Sequence, residues 1–195
     1  MSQNIEIEFK NMLTELEYKR LLNELEIDQT QIFSQENHYF DTPSFSLKEA
    51  GSALRIRKKK HHFEMTLKQP AAVGLLETNQ ILTEEEVTRA LQSGKLPTGV
   101  IQQLIEAIGI SFSKIEYFGH LLTNRVEIPY KKGLLVLDHS SYLNNEDYEL
   151  EYEVEDYKEG QLIFREFLSY HKIPERKTEN KIRRFYMQKY KMNEL

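Results

Sequence analysis

The sequence predicts an α+β fold dominated by an antiparallel sheet or barrel. Three observations lead there. Charged and apolar residues alternate along several short segments, most of those segments are joined by short turns, and helical apolar spacing is confined to five separate stretches. Nine strand segments against five helices is the pattern of helices laid on antiparallel strands, not of a βαβ repeat. With 195 residues, 39% of them hydrophobic, the chain is long enough for one domain with a proper core.

In chain order, Ile5, Ile7 and Phe9 alternate with Glu6, Glu8 and Lys10, so the first strand presents two carboxylates and an ammonium on one face. Thr14-Glu15-Leu16-Glu17 has the form of a capping box, and Leu16, Leu21, Leu22 and Leu25 follow near helical spacing. Strands are expected over 36–41, 52–60, 62–69 and 75–82, with Lys60-His61-His62 as a tight connection between the middle two. Thr83-Glu84-Glu85-Glu86 is a second capping box, opening a helix through Leu91. Val100, Ile101, Leu104, Ile105 and Ile108 mark another helix, with Gly109 as its C-cap. Strands resume at about 112–119, 121–130, 133–138 and 147–155, separated by Gly133 and by the turn-rich Asn144-Asn145-Glu146-Asp147. Two helices, near 160–171 and 179–191, close the chain. No internal repeat, low-complexity tract or linker interrupts it, so a single domain over 1–195 is expected.

Composition removes several classes of function. The formal net charge of -5 argues against a general nucleic-acid coat while leaving a local basic site open. No cysteine is present, so any metal must be held by oxygen or histidine, and the six histidines show no ligand spacing. No apolar run approaches the roughly 18 residues a membrane span needs, and the N-terminus lacks the basic start and apolar core of a secretory signal. A cytoplasmic protein is expected. Aromatic surface around Phe112, Tyr117 and Phe118 suggests a homodimer.

The charged faces recur along the chain. Leu54-Arg55-Ile56-Arg57 places two guanidinium groups on one face, Phe63-Glu64-Met65-Thr66-Leu67-Lys68 repeats the alternation, and Thr123, Arg125 and Glu127 oppose an apolar set. Tyr148-Glu149-Leu150-Glu151-Tyr152-Glu153-Val154-Glu155 presents four carboxylates on one side. Two carboxylates about 7 Å apart on one strand repel and do not pair with each other, so they make most sense around a shared cation. If the sheet closes on itself, the first and last strands become neighbours and gather Glu6 and Glu8 with some of Glu149, Glu151 and Glu153 into a hard-cation site. Two arrangements satisfy this pattern. Either the charged faces line an interior and amphipathic helices cover an apolar exterior, or the apolar faces form an ordinary core and the charges stand in water as cross-strand pairs. Arginine pairs and a lysine opposite a carboxylate cluster match a metal-bound polyphosphate: oxygen ligands for the ion, guanidinium forks for the phosphate oxygens.

These residues resemble the CYTH-domain proteins, also called triphosphate tunnel metalloenzymes. The resemblance is carried by Glu6-Ile7-Glu8-Phe9-Lys10, Tyr39-Phe40-Asp41-Thr42-Pro43, Leu54-Arg55-Ile56-Arg57, Thr66-Leu67-Lys68, Arg125, Asp138 and the late Glu-x-Glu run, in the family's order and spacing from residue 6 to about 153. It implies an eight-stranded antiparallel barrel forming a tunnel with a charged interior, and hydrolysis or cyclisation of triphosphate compounds with Mg²⁺ or Mn²⁺. By the same resemblance Glu6 and Glu8 are metal ligands with a third carboxylate from the last strand, Glu151 preferred and Glu149 and Glu153 as alternatives. Asp138 joins the metal set. Arg55, Arg57, Lys68 and Arg125 form the triphosphate clamp, and Lys10 positions or activates the attacking water or contacts phosphate. Tyr39 and Asp41 orient clamp residues or help shape the tunnel entrance, or Asp41-Thr42-Pro43 simply starts a turn. The family's closing Lys-Ser-Lys-like segment is replaced by Lys177-Thr178-Glu179-Asn180-Lys181-Ile182-Arg183-Arg184. Lys177, Lys181 and Arg184 would share a helical face that closes over phosphate or stands in solvent.

Three functions follow as expectations. The first is metal-dependent hydrolysis of inorganic tripolyphosphate, thiamine triphosphate or a nucleoside triphosphate. The second is class IV-type adenylate cyclisation, which needs a base-binding end not identifiable in the sequence. The third is a non-catalytic polyphosphate or nucleotide sensor.

Overall fold

A computed structural model describes residues 2–58 and 62–193, with side chains as far as 190. The elements are β1 (Ser2–Leu13), α1 (Glu15–Glu24), β2 (Phe33–Asp41), α2 (Ser46–Glu49), β3 (Ala53–Lys58), β4 (Phe63–Pro70), β5 (Leu75–Leu82), α3 (Glu84–Ser93), α4 (Val100–Ala107), β6 (Glu116–Tyr130), β7 (Gly133–Tyr142), β8 (Asn145–Val154), α5 (Tyr157–Tyr170) and α6 (Lys181–Asn193). The eight strands close as an antiparallel barrel in the hydrogen-bonded order β1-β5-β4-β3-β2-β6-β7-β8. None of the described helices is long and apolar enough to cross a membrane.

The chain divides into two compact units. The first holds the start of β1 up to Ile5 together with Glu36–Leu121, and the second holds Glu6–Gln35 and Leu122–Leu195. Each unit solves the alternation in the same way. In the first, Phe40, Leu54, Ile56, Met65 and Leu67 pack with Val87 and Ala90 of α3 and Ile101 and Ile105 of α4. In the second, Val126, Leu135, Leu137, Leu150 and Tyr152 pack with Tyr18 and Leu21 of α1 and Ile163, Phe164 and Phe167 of α5. Because successive side chains of a strand point to opposite faces, this burial turns the charged residues to the face away from these helices. That face is not left in water: Arg57, Arg125, Asp138, Glu149 and Glu151 are all buried. Of the two arrangements open in the sequence, helices over the apolar faces is the one adopted.

Both expected capping boxes form. The Thr14 hydroxyl accepts from Glu17 N while the Glu17 carboxylate accepts from Thr14 N, and Thr83 and Glu86 repeat the exchange at the start of α3. The nine expected strands become eight because 121–130 is extended backwards to Glu116, through Gly119. That residue stands at φ 140, open to glycine without a Cβ clash, and the strand continues through it. Phe112–Lys114 forms a 3-10 turn where strand was expected, and Phe112 is buried in the first unit's core. Tyr117 packs on Phe40 and Phe118 on Phe45, which leaves both half-buried. The β7–β8 hairpin turns at Leu143 and Asn144, both at positive φ, so each strand runs further than its sequence pattern indicates. The Lys60-His61-His62 connection falls largely outside the described residues.

The sequence missed α2. Its first turn is held by the buried Asp41 carboxylate, which accepts from Thr42 N, Leu47 N and Lys48 N at 2.7, 2.9 and 3.1 Å. Asp41-Thr42-Pro43 therefore does start a turn, and a carboxylate at the open N–H groups of a helix is what fixes it.

Candidate active site

In the second unit the register of three antiparallel strands sorts the charges. Across β1 and β8, Glu8 lies opposite Glu153, Lys10 opposite Glu151 and Met12 opposite Glu149. Across β7 and β8, Asp138 lies opposite Glu149, and across β6 and β7, Arg125 lies opposite Asp138. The expected meeting of first and last strands is thus present, with Glu153 as the carboxylate facing Glu8.

The carboxylates fall into two sets. Asp138, Glu149 and Glu151 are enclosed by cations. Arg125 grips Asp138 with Nε and Nη2 at 2.8 and 2.6 Å and reaches Glu151 at 2.9 Å. Lys181 Nζ stands 2.8 Å from Asp138, 2.7 Å from Glu149 and 2.5 Å from Glu151. Arg184 bonds Asp147 at 2.8 and 3.1 Å and Glu149 at 2.8 Å. Burial alone would lower the Lys181 ammonium, but its three carboxylates outweigh it and hold the group well above its ordinary range. Burial would raise the Glu151 carboxyl; Lys181, Arg125 and Lys10 instead hold it well below the usual carboxylate range. Glu149 Oε1 is buried with no hydrogen-bond partner.

Glu6, Glu8 and Glu153 form the other set. Lys10 Nζ is 2.7 Å from Glu8 and 3.9 Å from Glu151. Burial pulls the Lys10 ammonium down, but Glu8, Glu151 and Glu149 push it up to about 12, so Lys10 is a proton donor at neutral pH. Glu153 shows the opposite stress. Burial raises its carboxyl, Arg125 opposes, and Glu6, Glu151 and Glu8 add to the rise, to about 7.

A carboxyl raised above its unfolded value, about 4.3, destabilises the fold once it ionises. The metal-free protein should therefore lose stability as pH rises from about 4.5 to about 7, contrary to the usual behaviour of a paired carboxylate. Thermal melts in EDTA should show a declining melting temperature over that window, and Mn²⁺ should flatten the decline. An EDTA series flat across it would contradict the crowding of Glu153.

The residues fit a divalent cation on one structural observation: two like charges, Glu8 and Glu153, stand directly opposite across β1 and β8, an arrangement that destabilises a sheet without a cation between them. Among the described residues no three carboxylate or imidazole groups already converge as a finished metal cage. Lys10, Arg125 and Lys181 stand on several of the oxygens instead.

The first unit carries a basic face. Tyr39, Arg55, Thr66 and Asn79 form one cross-strand row, Asn37, Arg57 and Glu64 a second, and Ala53, Lys68 and Glu77 a third. Arg57 Nε donates to Asn37 Oδ1 at 2.6 Å, which fixes the guanidinium. Lys68 Nζ lies 2.7 Å and Arg55 Nη2 3.8 Å from Glu77 Oε1. Burial raises the Glu77 carboxyl, yet Lys68 and Arg55 bring it below its ordinary value. Arg55 Nε is buried and without a hydrogen-bond partner.

Of the three residues expected on one helical face, Lys181 and Arg184 share the inward face of α6, whereas Lys177 precedes the helix and is exposed. The strand pattern Leu76-Glu77-Thr78-Asn79 contains the signal for Glu77, which sequence reading passed over; its meeting with Lys68 is a matter of register. Arg176, also passed over, bonds the Glu17 carboxylate twice at 2.9 Å and the Met12 carbonyl at 2.9 Å, tying the segment before α6 to β1 and α1.

The chain belongs to the CYTH domain family, whose model matches residues 4–186. Within that family it is 49% identical over 191 residues to "Putative triphosphatase YjbK" of Bacillus subtilis (strain 168), covering 98% of this chain and 99% of that protein. A Bacillus halodurans crystal structure described as a "putative adenylate cyclase" matches with a TM-score of 0.91 at 44% identity, over 95% of this chain and 100% of that one. HpAC1 from Hippeastrum, described as having a dominant triphosphatase activity, matches with a TM-score of 0.75 at 21% identity, over 94% of this chain and 96% of that one, a likeness of fold.

Proposed function

We propose that this protein hydrolyses the terminal phosphoanhydride of a triphosphate compound with the help of Mg²⁺ or Mn²⁺. The observation that carries the proposal is Arg55 Nε, a buried guanidinium donor without a partner on the same strand face as Arg57 and Lys68. A buried unpaired donor costs stability, and three cations on one face suit an anion with several oxygens. The name of the 49% identical Bacillus subtilis protein agrees with this reading.

Glu6, Glu8 and Glu153 would hold the cation, which when bound supplies charge neutralisation at the phosphate oxygens and a nucleophilic water. Arg55, Arg57 and Lys68 bind phosphate oxygens and favour the charge that grows on them as the bond to the leaving group lengthens. Asn37 and Glu77 orient those cations. Lys10, whose ammonium Glu8 and Glu151 favour, would orient the attacking water or donate to an oxygen. Arg125 holds Asp138 and Glu151 in place and reaches towards Glu153, 4.0 Å from its Nη1.

Phosphate release should be measured from tripolyphosphate, thiamine triphosphate and ATP with Mg²⁺ or Mn²⁺, with cyclic AMP assayed in parallel. We expect phosphate from at least one of the three, and Arg55→Met to lower kcat/KM by about 100-fold, the scale of one lost charge-stabilising donor. Cyclic AMP as the main product would move the protein to the cyclases. Tight binding of tripolyphosphate without turnover under either metal would make it a sensor.

A further inference from the structure

We propose that Lys181 is a resident cation. Its ammonium occupies the position among Asp138, Glu149 and Glu151 that a second divalent ion would take, so the protein binds its metal only at Glu6, Glu8 and Glu153. The second clause rests on the metal-dependent reading above; the first does not.

The geometry around the ammonium is that of a filled site, with Glu149 Oε1 the one oxygen of the cluster left buried without a hydrogen-bond partner. An ammonium has three N–H donors, and Lys181 Nζ has three carboxylate acceptors, at 2.8, 2.7 and 2.5 Å from Asp138, Glu149 and Glu151. All four side chains are enclosed, Lys181 at 13% exposure and the carboxylates at 5% or less. The carboxylates of the cluster, Asp138, Asp147, Glu149 and Glu151, are matched by four cations, Lys181, Arg125, Arg184 and Lys10, the last 3.9 Å from Glu151. A divalent ion added there would leave an uncompensated double charge in a buried place, at a cost no ordinary packing offsets.

Lys181 is also held where it stands. It opens α6, whose Ile182, Phe185 and Tyr186 are buried. Arg184, one turn on, bonds Asp147, Glu149 and the Glu179 carbonyl, and the Phe185 ring packs on Tyr142. A lysine on an exposed stem would exchange with a competing ion. This one is anchored through the hydrophobic face of its own helix. The same helix that the sequence suggested as a cover over phosphate therefore has its first residue turned to protein carboxylates.

The test is the Mn²⁺ stoichiometry of the full chain, read by isothermal titration and by the loss of the free-ion electron paramagnetic resonance signal. Wild type should bind one Mn²⁺ and Lys181→Met two, since the variant leaves three carboxylates facing an empty position. Two ions on wild type would overturn the proposal, as would a folded Lys181→Met that binds only one. None on wild type with one on Lys181→Met would keep Lys181 as the resident cation and sink the metal site at Glu6, Glu8 and Glu153. Should Lys181→Met be unfolded without metal, Mn²⁺ is expected to restore its far-ultraviolet circular dichroism; failure to do so would count against the proposal.

Discussion

Replacing Arg125 with methionine is expected to destabilise the protein by about 3–5 kcal/mol, the range for breaking a buried ion pair by removing one partner. The side chain is 8% exposed and makes three charge-assisted hydrogen bonds, two of them a parallel fork on Asp138, which is itself wholly buried. Methionine keeps most of the volume and none of the charge. Asp138 and Glu151 would then share Lys181 as their near cation, with Lys10 3.9 Å from Glu151. Urea unfolding at neutral pH gives the measurement, and a loss under about 1 kcal/mol, the range of exposed pairs, would show that the site is solvated in solution. The double variant Arg125→Met/Asp138→Asn should recover part of the loss, because it removes the stranded charge along with its partner.

The second large effect is on activity. Glu8→Gln should lower kcat/KM by about 1,000-fold, at the upper end of what one lost charge-stabilising interaction costs, while leaving the fold intact. Glutamine preserves the shape of the side chain and removes the charge that faces Glu153 and holds Lys10. Relief of the Glu8–Glu153 repulsion works against the loss of the Glu8–Lys10 pair, so the metal-free variant should stay folded, and an unchanged far-ultraviolet circular dichroism spectrum separates loss of function from loss of structure. Its Mn²⁺ affinity should fall in step with its activity. Equal turnover in both proteins would end the assignment of Glu8 as a metal ligand. Weaker metal binding with full activity at saturating Mn²⁺ would leave it a ligand whose only task is affinity.

Much of the fold was legible because its signals are local. The capping boxes at Thr14 and Thr83 are read from four consecutive residues, and each forms as written. Alternation along 54–57 and 148–155 fixes which side chains share a face, since a strand has a period of two whatever its neighbours are. The misses are positions where distant groups decide. Ser46–Glu49 is helical because Asp41, several residues upstream, accepts its free N–H groups. Residues 112–115 leave the strand because Phe112 finds a place in the first unit's core.

The candidate site divides along the same line. Which residues carry it was written in the sequence: Glu6, Glu8 and Lys10 on one strand face, Arg55 and Arg57 on another, and a run of glutamates near the end. What each of them does was not. Three overlapping Glu-x-Glu pairs are equivalent on paper, and only the pairing of β1 with β8 sets Glu153 against Glu8 and Glu151 against Lys10. Lys181 looked like a cation for phosphate, and packing of α6 sets it among three protein carboxylates instead. The physical reason is one of range. Side-chain period and capping depend on covalent neighbours, so the sequence alone determined the faces and their charge. Register and helix docking depend on which apolar surfaces bury one another across more than a hundred residues of chain, so only the tertiary structure decided which charges meet.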